Sequence, residues 1–531
     1  MRKLNTPPVC PLCKKEVNEN LGAHLKRTHG EDEFKKAVLK AKESGISDPE
    51  IGALFNITFR QLQEIITEAY GIPVSVLKKP KRIKYWEPKN FKEETTTVWS
   101  FPQRGDWATH NGRFRGNWSP YIPRNVILKY SKPGEVVLDY FVGGGTTAVE
   151  AKLLGRRCVA KDINPWAIGL TRENLNFKME KTTEGYLVYE PEVSVGDARD
   201  LSDVMQRYKT VDLICAHPPY AGIIDYSSKV EGDLSKLSID EFLKEMRKVA
   251  SESYKVLKPG GKCAILIGDT RKAKHEIPIG FKTINAFLDA GFNLKELVIK
   301  RQHKCKTTGF WYKKSIQYNF LLLAHEYLPI FEKPKQPAFP FDAKEVLSSN
   351  IDIGCTVVKL PMEEVDKLES TTVWIFPEKQ LEKRLNKNVV DRYSNEGRYL
   401  ALALAPHTKD EIPVSEENTK IDLLFIKSPF LNNVPSVAEI KQYLIKINEV
   451  VQRKAADIKK GGFLVIQTRD VRTNGFVEPL GKRIVDILKF DNLWLKEIVI
   501  VTQEEVPENK QVKNEDLEIV HQYLLVYEVT K

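Results

Sequence analysis

Short apolar runs alternate with longer mixed stretches through the middle of the chain, and this alternation predicts strands and helices in turn. Val136–Leu138 and Cys158–Ala160 have the length and composition of buried strands. Between them, glycines 143–145 mark a turn, and Thr146 starts a predicted helix. A further strand, Asp212–Ala216, stops at two prolines. Strands separated by a helix in this way indicate an α/β domain.

The alternation continues downstream. We predict a helix at Ile239–Val256, a strand at Cys263–Ile267, a helix at Phe281–Ala290 and strands at Leu294–Ile299 and Ile316–Ala324. Between the last two strands, the basic and aromatic segment Arg301–Ser315 is predicted to be a loop. This segment is either a lid that contacts nucleic acid or an ordinary exposed hairpin, and the sequence leaves both interpretations open.

The second half of the chain repeats the first in altered form. IDLLFIKSPF at 421–430 matches VDLICAHPPY at 211–220, and KKGGFLVIQTRD follows KPGGKCAILIGD at a constant offset, 461 − 260 = 201. The copy has no glycine turn, and its counterparts of His217, Pro218 and Tyr220 are Lys427, Ser428 and Phe430. We therefore expect a degenerate, inactive second lobe that completes a dimer-like surface.

Two short amphipathic patterns occupy residues 46–70. Ser47 or Asp48 can cap a first helix, and Thr58 can cap a second one after a turn at 55–57. The inward positions are Ile51, Leu54, Leu62, Ile65 and Ile66, and the outward positions are Phe59, Arg60, Gln61 and Glu64. A helix-turn-helix with a recognition helix and a plain helical hairpin both match this pattern.

Metal-ligand spacing appears near the start of the chain. Cys10, Cys13, His24 and His29 form C-x2-C-x10-H-x4-H. Two thiolates and two imidazoles can close a tetrahedral zinc site, and a module this small needs the metal to fold. The segment resembles a C2H2 zinc finger with a shortened spacer.

Acidic residues follow the predicted strands of the α/β domain. Asp139 precedes the glycine turn, and Asp162 follows the next strand, at 162 − 139 = 23. Glycines allow a ligand to approach the backbone, and an acid at this offset can hold two ribose hydroxyls. The G-x-G-x-x-G pattern of dinucleotide enzymes is missing. A dinucleotide cofactor is therefore not favoured.

The tetrapeptide His217-Pro218-Pro219-Tyr220 follows the strand Asp212–Ala216. Prolines fix the direction of a main-chain carbonyl, and a tyrosine ring can stack on a base. A neutral imidazole nitrogen can accept a hydrogen bond from an amine. From the tetrapeptide alone, a plain strand-to-turn segment is also open.

These motifs resemble those of the N4-cytosine and N6-adenine amino-methyltransferases of DNA. D-Y-F-V-G-G-G-T-T at 139–147 is similar to their S-adenosylmethionine loop, and H-P-P-Y to their Asp/Asn/Ser-Pro-Pro-Tyr/Phe loop. The resemblance implies a seven-stranded Rossmann-like sheet with a terminal antiparallel pair. It also implies that the segment Asn117–Pro120 packs near the methionine end of the cofactor. His217 departs from the family pattern, so the methylated base, adenine or cytosine, stays open.

The resemblance implies roles for individual residues. Catalysis is expected at His217, Pro218, Pro219 and Tyr220. Cofactor contacts are expected at Asp139, Phe141, Gly143, Gly145, Thr146, Asp162 and Asp197. The expected cofactors are S-adenosylmethionine and a structural Zn²⁺ ion.

Length and motif positions suggest six segments. They are a zinc finger (1–30), a helix-turn-helix-like module (31–75), a basic linker (76–92), the catalytic domain (93–330), a linker (331–368) and the degenerate repeat (369–531).

The charge distribution favours a polyanionic partner. The formal net charge is +11, and residues 1–90 hold 17 Lys/Arg against 11 Asp/Glu. No long apolar run or signal peptide is evident, and the seven cysteines suit reduced thiols and a metal, so we expect a cytoplasmic protein with no membrane contact.

We expect a methyltransferase that acts on a flipped base of duplex DNA, with restriction-modification as one setting. An RNA base methyltransferase and a zinc-finger DNA-binding regulator with an inactive methyltransferase fold are the alternatives.

Overall fold

The computed structural model describes residues 9–17, 20–70, 80–112, 114, 116–220, 230–303, 308–335, 352–394, 397–413, 420–430, 435–504 and 516–530. Part of the predicted basic linker (71–79) and part of the linker after the catalytic domain (336–351) lie outside these ranges.

The helices of the described residues are α1 (Leu21–His29), α2 (Glu31–Glu43), α3 (Asp48–Phe55), α4 (Phe59–Tyr70), α5 (Tyr121–Tyr130), α6 (Thr146–Leu153), α7 (Pro165–Leu175), α8 (Ser202–Tyr208), α9 (Ile239–Val256), α10 (Ile279–Asp289), α11 (Thr308–Gln317), α12 (Leu381–Tyr393), α13 (Val437–Lys454) and α14 (Leu480–Ile487). None of these helices is both long enough and apolar enough to cross a lipid bilayer.

The strands are β1 (Val98–Ser100), β2 (Val136–Asp139), β3 (Arg157–Asp162), β4 (Glu192–Val195), β5 (Val211–Ala216), β6 (Leu257–Ile265), β7 (Thr270–Lys272), β8 (His275–Ile277), β9 (Asn293–Arg301), β10 (His325–Glu332), β11 (Ile353–Val357), β12 (Val373–Phe376), β13 (Tyr399–Pro406), β14 (Ile421–Lys427), β15 (Ile458–Thr468), β16 (Val471–Thr473), β17 (Phe476–Glu478), β18 (Leu493–Gln503) and β19 (His521–Val529).

The chain forms two compact units. The first unit comprises Met1–Phe91, Arg104–Pro219 and Ile224–Lys236, and the second comprises Lys92–Gln103, Tyr220–Ile223 and Leu237–Lys531. The first contains α1–α8 and strands β2–β5. The second contains the remaining helices and strands, including the two segments that repeat each other in sequence and contain KPGG at 258–261 and KKGG at 459–462.

A parallel sheet forms the centre of the first unit, with strand order β5-β2-β3-β4. All four residues of β2 are buried, and so is every residue of α6. Strands and helices buried in this way need cover on both faces, as is usual for parallel α/β sheets. The carboxyl ends of these strands lie along one edge, where Asp139 and Asp162 end β2 and β3.

The N-terminal segments of the first unit share one hydrophobic core. This core combines Cys10, Val17, Leu21 and Leu25 of the finger segment with Phe34, Val38, Ile51, Phe55, Ile57, Leu62, Ile65 and Ile66. Gly22 allows close contact, since a Cβ atom there would lie 2.0 Å from the carbonyl oxygen of Phe55. The segment of the predicted finger and the α3–α4 pair therefore form one packed module, which also contains the unpredicted helix α2.

The two helices predicted for residues 46–70 are present as α3 and α4. Ser47 and Glu50 form a capping box at α3, and Asn56 closes it in the left-handed conformation, with φ at 52°. Of the predicted outward positions, Gln61 is exposed, whereas Phe59 and Glu64 are half-buried. Helix α4 also packs against α7.

Two sheets of matching topology occur in the second unit. One has the order β1-β9-β10-β6, and the other contains β12-β18-β19-β15, followed by β14, β13 and β11. Hairpin β7–β8 in the first repeat corresponds to β16–β17 in the second. The repeat seen in the sequence is therefore a repeat of structure.

Two predictions about the end of the first repeat were wrong. Ile316–Ala324 is not a strand, because the last strand is β10 at His325–Glu332, paired with β9 over eight positions. The segment Arg301–Ser315 is not simply a loop, since it contains most of the helix α11. Trp311 and Tyr312 on α11 are 43% and 37% exposed.

Reciprocal ion pairs join the two repeats. Arg271 of β7 donates to the carboxylate of Glu497 on β18. Arg472 of β16 donates to Glu296 Oε2 on β9 at 2.5 Å. The two arginines are 472 − 271 = 201 positions apart, and the two glutamates are 497 − 296 = 201 positions apart. Each repeat therefore presents the same arginine to the same glutamate of the other.

Candidate active site

The glycine turn of the first unit is held by the acid that follows β3. Gly143 takes the left-handed conformation, with φ at 53°, which favours glycine. Its N–H donates to Asp162 Oδ2 at 2.9 Å, and the N–H of Asn164 donates to Oδ1 at 2.9 Å. The Phe114 ring lies against Gly143, where a Cβ atom would be 2.9 Å from it.

Asp139, Gly145 and Thr146 lie behind this turn and support it. The N–H of Phe141 donates to Asp139 Oδ1 at 2.9 Å, which fixes the chain as it leaves β2. Gly145 is also left-handed, with φ at 85°, and precedes α6. Thr146 is buried. Among the described residues, these three are not part of the cleft wall, so they shape the loop from behind.

A cleft with an empty volume of about 760 Å³, which includes the open solvent at its mouth, lies over the turn. Its walls are Phe114, Gly116, Asn117, Trp118, Tyr140, Phe141, Val142, Gly143, Asp162, Ile163, Asn164, Asp197, Ala198, His217, Pro219, Gly232, Asp233 and Leu234. The predicted residues Phe141, Gly143, Asp162, Asp197, His217 and Pro219 are thus brought to one cavity.

His217 forms one wall of this cleft beneath an indole ring. The rings of Trp118 and His217 are stacked, with centroids 5.5 Å apart and planes inclined by 22°. Arg104 fixes the segment that carries the indole, because its guanidinium donates to the carbonyls of Asn117 at 2.8 Å and Trp118 at 2.9 Å. The imidazole therefore has a defined orientation within the cavity.

A buried glutamate anchors the segment before the cofactor loop to α6. Glu150 accepts from Trp107 Nε1 at 2.7 Å and from Arg124 Nη1 at 3.0 Å, and it contacts His110 Nε2 at 2.6 Å. Burial opposes ionisation of this carboxyl, but His110, Arg124 and Trp107 hold its pKa below the usual value. The anchor places the segment that carries Phe114 and Trp118 over the glycine turn.

Asp197, in the wall of the cleft, is paired with an arginine that the sequence did not single out. Arg199 Nε donates to Asp197 Oδ1 at 2.9 Å, and Nη2 donates to Oδ2 at 2.6 Å. Nη2 also donates to the carbonyl of Gly232 at 3.1 Å. Arg199 thereby links the predicted adenine-end acid to the segment 232–234.

Burial makes the two carboxyl groups at the strand ends weaker acids. It raises the pKa of Asp139 to about 7, against the hydrogen bonds from Thr147 and the Phe141 N–H. It raises the pKa of Asp162 to about 6, against the N–H groups of Asn164 and Gly143. Hydroxyl donors from a ligand would favour the ionised form of Asp162.

Pro218 and Tyr220 occupy different surroundings from His217 and Pro219. Pro218 is buried, and it is not among the residues that line the cleft. Tyr220 belongs to the second unit, where its hydroxyl donates to Glu326 Oε1 at 2.5 Å.

The four predicted zinc ligands converge. One atom each of Cys10, Cys13, His24 and His29 lie within 4.8 Å of one another. Cys10 Sγ is 3.6 Å from His29 Nε2, and Cys13 Sγ is 3.5 Å from His24 Nε2. Zinc bonds of about 2.3 Å to sulfur and about 2.0–2.1 Å to nitrogen place such atoms about 3.6 Å apart in a tetrahedron. The four residues present therefore match the geometry of a zinc site.

The second repeat fills the corresponding corner with its own polar side chains. Lys427 Nζ donates to Glu382 Oε2 at 2.7 Å, and Gln467 Nε2 donates to Glu382 Oε1 at 2.9 Å and to Gln522 Oε1 at 2.7 Å. Phe430 is buried and packs on the Tyr443 ring, with centroids 5.2 Å apart. The counterpart of the His-Pro-Pro-Tyr loop is thus satisfied internally.

Sequence reasoning anticipated some of the cleft walls and missed others. Asn117 and Trp118 were expected near the cofactor, because they precede the glycine loop in the family. Arg199 and the segment 232–234 carried no recognisable signal, since they reach the cleft only through tertiary contacts.

Comparison with known proteins identifies a family. Residues 61–173 and 211–409, more than half of the chain, match the profile of a family described as DNA methylase. A tRNA (guanine(10)-N2)-dimethyltransferase of Methanothermobacter thermautotrophicus is 30% identical over 195 residues, or 36% of this chain and 48% of that protein. The type II methyltransferase M2.DpnII of Streptococcus pneumoniae is 40% identical over 60 residues, or 11% and 22%. The type II methyltransferase M.MthZI of M. thermautotrophicus is 30% identical over 159 residues, or 26% and 43%.

The chain spans less than half of the length of each of these relatives. Among solved structures, the match to TrmN from Thermus thermophilus covers 41% of this chain and 50% of the TrmN chain, with 22% sequence identity and a TM-score of 0.26. Likeness at that score supports no inference about function.

Proposed function

The chain belongs to the N6/N4 DNA methylase family, and from that premise we propose that it transfers a methyl group from S-adenosylmethionine to the exocyclic amine of a base in DNA, at adenine N6 or cytosine N4. The observation that carries the proposal is that Gly143 of the glycine turn, Asp162 and His217 all line the same cleft. The glycine turn and Asp162 would bind the cofactor on one side, and His217 would accept a hydrogen bond from the amine on the other.

S-adenosylmethionine would supply an electrophilic methyl group when bound. Asp162 would accept from two ribose hydroxyls, and the glycine turn would let the cofactor approach the backbone. Phe114 and Trp118 would exclude water above the turn. Asp197, oriented by Arg199, would lie at the adenine end.

The chain's part in the chemistry is to prepare the amine. An exocyclic amino group is a weak nucleophile because its lone pair is delocalised into the base. A neutral imidazole at His217 can accept a hydrogen bond from an N–H group of the amine. The stacked Trp118 ring holds the imidazole in place. Tyr220, three residues on, would give the flipped base a face to stack on.

RNA is the second candidate substrate, and one observation favours it. The similarity to the tRNA dimethyltransferase extends over 195 residues, farther than the similarity to either type II methyltransferase described above. The predicted helix-turn-helix favours duplex DNA, although Phe59 and Glu64 of α4 are half-buried. We therefore rank DNA first and keep RNA as the alternative.

We further propose that the N-terminal module binds one structural zinc ion through Cys10, Cys13, His24 and His29 and assists in holding nucleic acid. The convergence of the four ligand atoms supports the metal. The excess of positive charge in residues 1–90 supports the nucleic acid.

The second repeat is proposed to be inactive. In place of His217, the second repeat has Lys427, a hydrogen-bond donor that is paired with Glu382. In place of Tyr220, it has Phe430, whose ring is buried. Its contribution would be to stabilise the first repeat through the reciprocal arginine–glutamate pairs.

The decisive experiment uses the full chain, S-adenosylmethionine labelled on the methyl group, duplex DNA and transfer RNA. Digestion of each nucleic acid to nucleosides then identifies the product. N6-methyladenosine or N4-methylcytidine in the deoxy series is the expected result. A label found only in ribonucleosides would favour the RNA candidate, and no label in either would contradict the proposal.

A further inference from the structure

A buried carboxylate anchors the tip of Tyr220 within the second unit. The tyrosine hydroxyl donates to Glu326 Oε1 at 2.5 Å, and Lys300 Nζ donates to Glu326 Oε2 at 2.7 Å. Glu326 is only 6% exposed. It stands directly opposite Lys300 in the antiparallel pairing of β9 and β10. A carboxylate buried to this extent requires a cation and hydrogen bonds, and these two neighbours supply them.

The Tyr220 ring also lies against a glycine. A Cβ atom on Gly268 would be 3.4 Å from Tyr220 Cε2 and 3.4 Å from Glu326 Cγ. The edge of the ring is therefore seated on the main chain just after β6. Together with the two prolines that precede it, this contact and the hydrogen bond fix the ring at both ends.

The second repeat provides an internal comparison for this arrangement. Its strands β18 and β19 pair Val501 with Gln522, in the register that pairs Lys300 with Glu326. The ring position is held by Phe430, which has no hydroxyl group, and the glycine position is held by Arg469. All four positions differ in the repeat that has no glycine loop.

Other side chains are the same in both repeats, which shows that the divergence is not general. Each repeat has a histidine bonded through Nδ1 to a threonine of the other repeat and through Nε2 to a tyrosine of its own strand. These sets are Thr372–His325–Tyr327, at 2.9 and 3.0 Å, and Thr97–His521–Tyr523, at 2.8 and 3.0 Å. Because an inactive repeat keeps them, they serve the contact between the repeats.

We propose that Glu326 is a positioning residue that holds the ring of Tyr220, through its hydroxyl group, in the orientation that stacks on the target base. Lys300 compensates the buried charge, and Gly268 leaves room for the ring. The proposal rests on the methyltransferase function proposed above. It assigns a role in that reaction to Glu326, Lys300 and Gly268. Glu326 lies 326 − 220 = 106 positions beyond the tyrosine.

A double-mutant cycle in the full chain tests the coupling between the two residues. The variants are Glu326→Leu, Tyr220→Phe and their combination, and the readout is the single-turnover rate of methyl transfer. A hydrogen bond to a charged group is worth enough for Glu326→Leu to slow transfer about tenfold in the wild-type background. In the Tyr220→Phe background, the same substitution should slow it less than about twofold. Equal losses in both backgrounds would overturn the proposal, because Glu326 would then act on the sheet alone.

Two further variants separate positioning from folding. Glu326→Gln keeps an acceptor oxygen and should retain a rate closer to wild type than Glu326→Leu does. Gln522→Leu makes a matched change on β19 of the second repeat and should leave the rate unchanged. If Glu326→Gln is as slow as Glu326→Leu, the acceptor for the tyrosine hydroxyl is not what matters, and the proposal fails.

A readout without enzymatic activity distinguishes failure of this inference from failure of the proposed function. Nitration of Tyr220 by tetranitromethane, followed by peptide mass spectrometry, reports on the hydroxyl group. Glu326→Leu should accelerate nitration of Tyr220 several-fold relative to exposed tyrosines such as Tyr186. An unchanged nitration rate would overturn the assignment of Glu326, whereas wild-type protein that methylates no nucleic acid would overturn the function.

Discussion

Asn285 and Asp486 occupy the same position in the two repeats, and they are hydrogen bonded to each other. The offset is 486 − 285 = 201, and Asn285 Nδ2 lies 3.1 Å from Oδ1 and 3.2 Å from Oδ2 of Asp486. In an isologous interface, a residue meets its own counterpart only on the two-fold axis. The repeats of the second unit therefore contact each other in the way that two identical subunits of a dimer do.

This symmetry gives the degenerate repeat a physical role. An α/β lobe with no glycine turn can still supply a self-complementary surface to the repeat that has one. The arginine–glutamate pairs and the Asn285–Asp486 contact join equivalent positions of the two repeats, whereas Lys427, Ser428 and Phe430 replace His217, Pro218 and Tyr220.

The first prediction concerns the arginine–glutamate pairs. Arg472→Ala leaves the buried Glu296 carboxylate without its cation, which should cost about 3–5 kcal/mol of unfolding free energy. Burial already raises the pKa of Glu296, so the folded state of the variant binds this proton more tightly than the unfolded chain does. Stability of the variant should therefore fall further as the pH rises from 5 to 8.

Thermal and denaturant unfolding at the two pH values measure this effect. Arg483→Ala is the matched control, because its pair with Glu478 is far more exposed and should contribute about 0–1 kcal/mol. Similar losses for the two variants would show that the contact between the repeats has no special weight.

The second prediction concerns the cofactor and pH. Burial raises the pKa of Asp162 to about 6, and hydroxyl donors of the ribose would lower that pKa. Binding should therefore release a proton, so that affinity for S-adenosylmethionine rises as the pH increases towards about 6 to 7 and then levels off. Asp162→Asn should weaken binding about tenfold or more at pH 7.5 and remove this part of the pH dependence.

Calorimetric titration at pH 5, 6 and 7.5, in buffers of different ionisation enthalpy, measures both affinity and proton release. The same affinity for wild type and Asp162→Asn at pH 7.5 would contradict the assignment of Asp162 to the ribose.

The third prediction concerns zinc. Purified protein should contain one zinc ion per chain, and the double substitution Cys10→Ser, Cys13→Ser should lose it. Because the finger shares its core with α2, α3 and α4, a strong chelator should lower the unfolding temperature of this module in wild type but not in the variant.

Metal analysis and calorimetric melting report these changes. Cys355→Ser, which alters a buried cysteine of the second unit, should keep the zinc. Zinc retained by the double variant would show that other residues bind it.

The fourth prediction concerns which repeat is active. Tyr220→Ala should remove a stacking contact worth about 1–3 kcal/mol per base and slow single-turnover transfer accordingly. Phe430→Ala creates a cavity in the second repeat and should lower stability, while the rate of the folded protein stays close to wild type. If Phe430→Ala stops transfer and Tyr220→Ala does not, the active site has been assigned to the wrong repeat.

Local sequence determined the elements whose signals are local. Helix α9 runs over Ile239–Val256 as predicted, because Ser238 and Glu241 form a capping box and the apolar positions lie on one face. The glycine turn follows from residues that adopt left-handed conformations at 143 and 145. The constant offset of 201 also predicted, from sequence alone, that β6 is equivalent to β15 and β9 to β18.

The tertiary structure decided what depends on partners far along the chain. The apolar run before His325 has the composition of a strand, yet the strand starts at His325, because that is where the pairing with β9 begins. The stacking of Trp118 on His217 joins residues 217 − 118 = 99 positions apart, and Glu326 meets Tyr220 only because β10 lies beside the end of β6. No periodicity links such residues, since strand register and packing choose their neighbours only once the sheets have formed.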